Sequence, residues 1–124
     1  MPDKRRFQRF QFKAQSLFDY LGQVTEAQVE TISLNGAMVS FNDSVMIPEG
    51  VICSLTISLE GDEVPLRLSV EVVYSTMYRV GLHIVAYHED APMRLYRLLK
   101  ELTDAPEKLQ EESALLGWEI DDGA

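Results

Sequence analysis

Apolar and polar positions alternate with a period of two over most of the chain. Phe10, Phe12, Ala14, Ser16, Phe18 and Tyr20 alternate with mostly polar neighbours, the pattern of a half-buried strand, and Gly22 marks a turn after them. Residues 24–32 read as a weaker strand. Ala37-Met38-Val39-Ser40-Phe41 resumes the apolar series, and Asn42-Asp43-Ser44 and Pro48-Glu49-Gly50 mark further turns. Val51, Cys53, Leu55, Ile57 and Leu59 share one face of the next strand, with Ser54, Thr56 and Ser58 on the other. Glu60-Gly61-Asp62 suits a hairpin loop. Leu66, Leu68, Val70 and Val72 then alternate with Arg67, Ser69 and Glu71, and residues 79–87 form one more strand with Val80, Leu82 and Ile84 inward. Short strands punctuated by turns predict an antiparallel barrel or sandwich.

The period changes after Tyr87. Leu95, Leu98, Leu99 and Leu102 fall at i, i+3, i+4 and i+7, the stripe of an amphipathic helix, and Pro92 suits its first turn. Arg94, Arg97 and Lys100 lie off the stripe and read as its solvated face. Pro106 opens a second helical stretch whose thin apolar face (Leu109, Leu115, Leu116) predicts partial docking. Gly117 suits a left-handed cap, and an acidic tail, Trp118-Glu119-Ile120-Asp121-Asp122, follows.

At 124 residues, one domain is expected. No apolar run approaches the ~18 residues of a membrane span, and the basic start leads into Phe7-Gln8-Arg9-Phe10-Gln11 instead of a signal-like apolar stretch. With a single cysteine, these features predict a soluble cytoplasmic domain without membrane insertion.

Charge changes the picture. The net charge is -9, but the first 13 residues carry five basic groups (Lys4, Arg5, Arg6, Arg9, Lys13) against Asp3 alone, a local +4. The other 111 residues therefore hold -13, which argues against binding DNA or RNA over most of the surface. Arginine supplies three of the five cations, and its planar fork binds phosphate or the O6/N7 edge of guanine with paired hydrogen bonds.

Catalytic and metal chemistry find little to work with. His83, His88 and Cys53 lack the spacing of a metal site, and Cys53 is in phase with buried Val51 and Leu55. No Gly-rich phosphate loop or nucleophile elbow is present, and acidic pairs such as Glu111-Glu112 read as solvated surface. A binding module is expected, not an enzyme.

One constellation remains. Arg5-Arg6-Phe7-Gln8-Arg9 supplies an R-x-x-x-R element, and after 21 intervening residues comes Thr31-Ile32-Ser33-Leu34-Asn35-Gly36 ahead of an apolar strand. With the run of strands, Val80-Gly81-Leu82 and the closing helix, roughly residues 4–102 resemble the PilZ family of cyclic di-GMP receptors. That family carries R-x-x-x-R before its first strand and (D/N)-x-S-x-x-G at a later strand start. The resemblance implies a mainly β fold: a six-stranded antiparallel Greek-key β-barrel with C-terminal α-helices, binding cyclic di-GMP on its outside, with no other cofactor. Residues 1–13 would be a flexible basic arm, residues 10–104 the barrel with its closing helix, and residues 105–124 a C-terminal helix and acidic tail. Arg5 and Arg9 match the motif arginines, Arg6 is their neighbour, Ser33 matches the serine and Gly36 the glycine. Thr31 stands where the family usually has Asp or Asn, so a single hydroxyl replaces a carboxylate that accepts from guanine N1–H and N2–H₂ together. Asn35 is placed to compensate in part. Tyr74 ends its strand either as a stacking surface for guanine or as a barrel-end aromatic.

Two functions follow from the resemblance. In one, the dinucleotide orders the arginine arm and changes what a downstream protein partner meets. In the other, the chain is a degenerate adaptor of the pilus or motility type that binds protein without nucleotide.

Overall fold

The computed structural model describes residues 7–118. Six strands, β1 (Phe10–Tyr20), β2 (Gln23–Ile32), β3 (Gly36–Ser40), β4 (Ile52–Ile57), β5 (Leu66–Ser75) and β6 (Arg79–Tyr87), precede helices α1 (Ala91–Leu102) and α2 (Pro106–Leu115). All strand pairings are antiparallel, in the order β1-β2-β3-β6-β5-β4, and β4 closes the barrel onto β1. The expected fold is therefore present, with β6 inserted between β3 and β5.

Local chemistry sets the two hairpins that lead into it. Leu21 and Gly22 both have positive φ (55° and 84°), as a two-residue turn matching strand twist requires, and Asp19 Oδ1 accepts from the Gly22 N–H at 2.9 Å. At the β2–β3 turn, Ser33 N–H donates to Gly36 O at 2.9 Å across Leu34 and Asn35. Inward residues of every strand meet in one core, including Phe18, Val29, Val39, Leu55, Leu68, Val70, Val80 and Ile84, with Phe18 edge-on to Phe41 at 5.6 Å. Cys53 is buried in that core as expected, and burial pushes its thiol up.

Departures from simple periodicity are informative. Alternation predicts that Glu30 faces away from Thr31. A β-bulge lies between Val29 and Thr31 in the β2–β3 pairing, so Glu30 and Thr31 both sit outside the core between buried Val29 and Ile32. The Glu30 carboxylate is bound by Lys13 and by the Ser40 hydroxyl at 2.6 Å, and these two partners hold its pKa below the ordinary value.

In α1, Leu95, Tyr96 and Leu99 are buried while Leu102 is 39% exposed. The reading of Arg94 as solvated is corrected. Its guanidinium donates to Val64 O, to Pro65 O at 3.2 Å and to Asp62 Oδ2 at 2.9 Å, pinning the β4–β5 loop to the helix.

Helix α2 docks through Leu109, Glu112 and Ser113, whereas Leu115 is 55% exposed. Glu112 is thus no surface residue: it is 2% exposed, and its carboxylate is tolerated because the Gln8 N–H donates to Oε2 at 3.0 Å. Gly117 has φ 78°, and the bonds Gly117 N–H to Ala114 O (2.9 Å) and Trp118 N–H to Ser113 O (3.0 Å) form a Schellman cap. Residues 119–122 of the acidic tail lie outside the described residues.

Candidate ligand-binding site

A cleft of about 550 Å³ opens on the outer wall of the barrel, where the entry to β1, the β2–β3 turn, β5 and β6 meet. Arg9, Thr31, Ser33, Asn35, Gly36 and Tyr74 all line it. Arg5 and Arg6 lie outside the described residues. The barrel thus brings six of the eight sequence candidates together from three segments of the chain.

Each position has a local cause. Arg9 is exposed immediately ahead of β1, and the bulge in β2 leaves Thr31 half-buried at the cleft wall, paired with Gln11 on one side and Met38 on the other. Ser33 is buried in its turn. Its hydroxyl donates to Asn35 Oδ1 at 3.0 Å and accepts from the Asn35 N–H at 3.3 Å. The Asn35 carbonyl accepts from Ile84 N–H at 2.8 Å, which ties the turn to β6. A Cβ on Gly36 would lie 2.8 Å from Leu82 O, so the glycine is required by strand-to-strand approach.

Tyr74 pairs with Gly81, and its ring lies where a Gly81 Cβ would be, 2.0 Å from Cε2. The glycine is a seat for one side of the ring, which remains 42% exposed. Tyr74 therefore packs against the barrel as a barrel-end aromatic, and its remaining surface lines the cleft.

Sequence reasoning missed other lining residues: Phe7, Gln11, Met38, Val73 and His83. His83 is exposed and stands opposite Gly36 in the β3–β6 register. The signal for it existed, since it lies out of phase with inward Leu82 and Ile84. His88, by contrast, is paired with Ser69 at 2.8 Å, away from this cleft.

Electrostatics separate this cleft from its surroundings. Among the described residues, its lining contains arginine, histidine, hydroxyl and amide groups and no Asp or Glu. A larger cleft of about 810 Å³ between the β4–β5 loop and α1 is lined by Glu60, Asp62, Glu63, Glu89, Asp90 and Glu101, with Arg94 and Arg97 as its only cations among the described residues. Among the described residues, no group of three or more His, Cys, Asp or Glu is placed to hold a metal ion. No helix of the described residues is long and apolar enough to cross a membrane.

A closed six-stranded antiparallel barrel with an outer-wall cleft that no described Asp or Glu lines, and helices after the last strand, defines a small barrel module. The chain belongs to the PilZ domain family, whose model matches residues 3–101. Solved structures agree at the level of fold. The inhibitor of motility MotI/DgrA from Bacillus subtilis superposes with a TM-score of 0.65 at 14% identity, over 83% of this chain and 53% of its own. YcgR from Escherichia coli, solved in complex with c-di-GMP, gives 0.65 at 15% identity, over 93% of this chain and 51% of its own. The PilZ domain of CeSA from a cellulose-synthesizing bacterium gives 0.62 at 14% identity, over 77% of this chain and 97% of its own. The chain spans about half the length of MotI/DgrA and of YcgR. A search of curated protein sequences finds no match.

Proposed function

We propose that the protein is a cyclic di-GMP receptor without catalytic activity, which signals by changing the surface it offers to a protein partner. One observation carries this reading: the cleft gathers Arg9, Thr31, Ser33, Asn35, Gly36 and Tyr74 while excluding carboxylates from its lining. A dianion carrying two guanines needs cations, short donors and a flat surface, and repels acids. Arg9, joined by Arg5 and Arg6, donates to phosphate or to guanine O6 and N7, each paired contact contributing roughly 1–3 kcal/mol. Tyr74, backed by Gly81, stacks on a base. Ser33 has one hydroxyl proton, now given to Asn35 Oδ1, so donating to the ligand exchanges one bond for another and frees the Asn35 side chain to act in turn. Support from outside the chain is that YcgR, of the same fold, was solved with c-di-GMP.

Calorimetric titration of the purified protein with cyclic di-GMP tests the reading. Saturable heat with a melting shift is expected; no heat and no shift at high ligand contradicts it. The position of Thr31 favours a second reading, a protein adaptor that has lost the nucleotide, because no carboxylate there reads guanine N1–H and N2–H₂. An adaptor captures the same partner with or without nucleotide, and also after Arg5→Ala and Arg9→Ala.

A further inference from the structure

The family match ends at residue 101, and helix α2 (Pro106–Leu115) lies beyond it. One contact of α2, and one of the residue after its cap, reach segments that flank the cleft. Gln8, the residue before Arg9, gives its backbone N–H to Glu112 Oε2 at 3.0 Å and accepts from the Thr103 hydroxyl at 2.8 Å through its side-chain Oε1. Thr103, the C-cap of α1, also accepts from the Ala105 N–H at 3.0 Å, so the α1–α2 joint and the segment entering β1 are fixed together. On the other flank, Trp118 packs edge-on to Tyr87 at 5.0 Å, and the Tyr87 hydroxyl donates to Leu34 O at 2.6 Å inside the β2–β3 turn. The arginine-bearing segment is therefore clasped by α2, while the serine–glycine turn is held by Tyr87 of β6, which packs on Trp118 just past the α2 cap. Gln8 is 104 residues from Glu112, and Leu34 is 53 from Tyr87.

Burying a carboxylate for a single backbone donor is expensive, and Glu112 Oε1 and Gln8 Nε2 are buried without a hydrogen-bond partner. A leucine would pack α2 at least as well, so helix docking alone does not account for Glu112. A carboxylate does one thing a leucine cannot: it accepts the Gln8 N–H and so fixes the backbone one residue from Arg9.

We propose that Glu112 is a positioning residue, which holds Gln8 and thereby presets Arg9 at the mouth of the cleft for the phosphates or guanine edges of the ligand. The inference rests on the receptor reading above for its ligand, but not for the clasp itself. By preordering the arm, Glu112 reduces the conformational freedom lost on binding.

Amide hydrogen exchange of the free protein and cyclic di-GMP titration, run on the same variants, test it. Glu112→Ala is expected to speed exchange at the Gln8 amide at least tenfold while leaving Val39 and Val80 in the barrel unchanged. It is also expected to weaken cyclic di-GMP binding about five- to thirtyfold. Glu112→Gln keeps an acceptor oxygen and should restore both properties to within about twofold, and it serves where the alanine variant fails to fold. Thr103→Val, which removes only the side-chain contact, should fall between the two. Unchanged Gln8 exchange in Glu112→Ala overturns the clasp. Faster exchange with unchanged or tighter binding overturns the positioning role and makes the clasp neutral or inhibitory. A wild-type protein that binds no cyclic di-GMP refutes the receptor reading and the ligand half of this proposal, while the exchange result still decides whether Glu112 holds the arm.

Discussion

The two clefts of this barrel differ in size and in sign, and the smaller one holds the motif residues. The cleft beside α1, at about 810 Å³, is walled by six carboxylates, and its most enclosed cation, Arg94, is consumed in holding the β4–β5 loop. The cleft on β1, the β2–β3 turn, β5 and β6, at about 550 Å³, has no carboxylate among the described residues and an exposed arginine at its edge. Volume and lining sign therefore favour different clefts. A small dianion entering the larger one would meet repulsion that its two arginines do not offset.

Exchanging the cations between the clefts gives the largest contrast. Arg9→Ala should lower affinity for cyclic di-GMP by roughly 5- to 150-fold, the range of one lost paired contact, while Arg97→Ala should change it less than about twofold. Equal losses by calorimetry would mean that the two clefts are not functionally distinct. Thr31→Asp introduces a carboxylate that accepts from guanine N1–H and N2–H₂, so affinity should rise about tenfold or more despite the added negative charge. Weaker binding would show that phosphate repulsion dominates at that wall. Tyr74→Ala should reduce affinity about fivefold or more through lost stacking, read in the same titration. In the acidic cleft, Arg94→Ala should cost about 1–2 kcal/mol of unfolding free energy in urea, with ligand affinity unchanged.

The smallest effect concerns pH. Burial raises the Glu112 carboxyl above its ordinary 4.5, while the hydrogen bond from the Gln8 N–H pulls it partly back. The folded state then holds the proton more readily than the unfolded one, so stability falls as pH rises through the interval between 4.5 and the raised value. The penalty is complete above that interval and absent below it. Glu112→Gln should accordingly melt higher than the wild type at pH 7, and the gain should vanish below about pH 4. A gain that persists in acid would point to packing instead of charge.

Much of this was legible in the sequence, for identifiable reasons. Strand alternation reports which face is inward, and it placed Phe18, Val70, Val80 and Ile84 correctly. The spacing of the motif led to Arg9, Ser33 and Gly36, which line one cleft, while Arg5 and Arg6 lie outside the described residues. Alternation could not anticipate the bulge at Glu30, because an added residue changes phase without changing composition. Nor did it reveal that Tyr74 rests on Gly81, which depends on cross-strand register. Glu112 and Arg94 were misread as solvated because a charged side chain is normally exposed, and their partners are long-range. Gln8 is 104 residues from Glu112, and Asp62 is 32 from Arg94.

Tyr87 has a further use. Burial raises its hydroxyl to about 12, so it remains a neutral donor to Leu34 O across the working range of pH. Its other neighbour is Trp118, the only tryptophan in the chain. The molecule consequently carries an intrinsic optical probe, wired by one aromatic contact and one hydrogen bond to the turn that forms a wall of the cleft. Movement of that turn can be followed by tryptophan emission in unlabelled protein, on the timescale of mixing, without adding a dye to the surface under study.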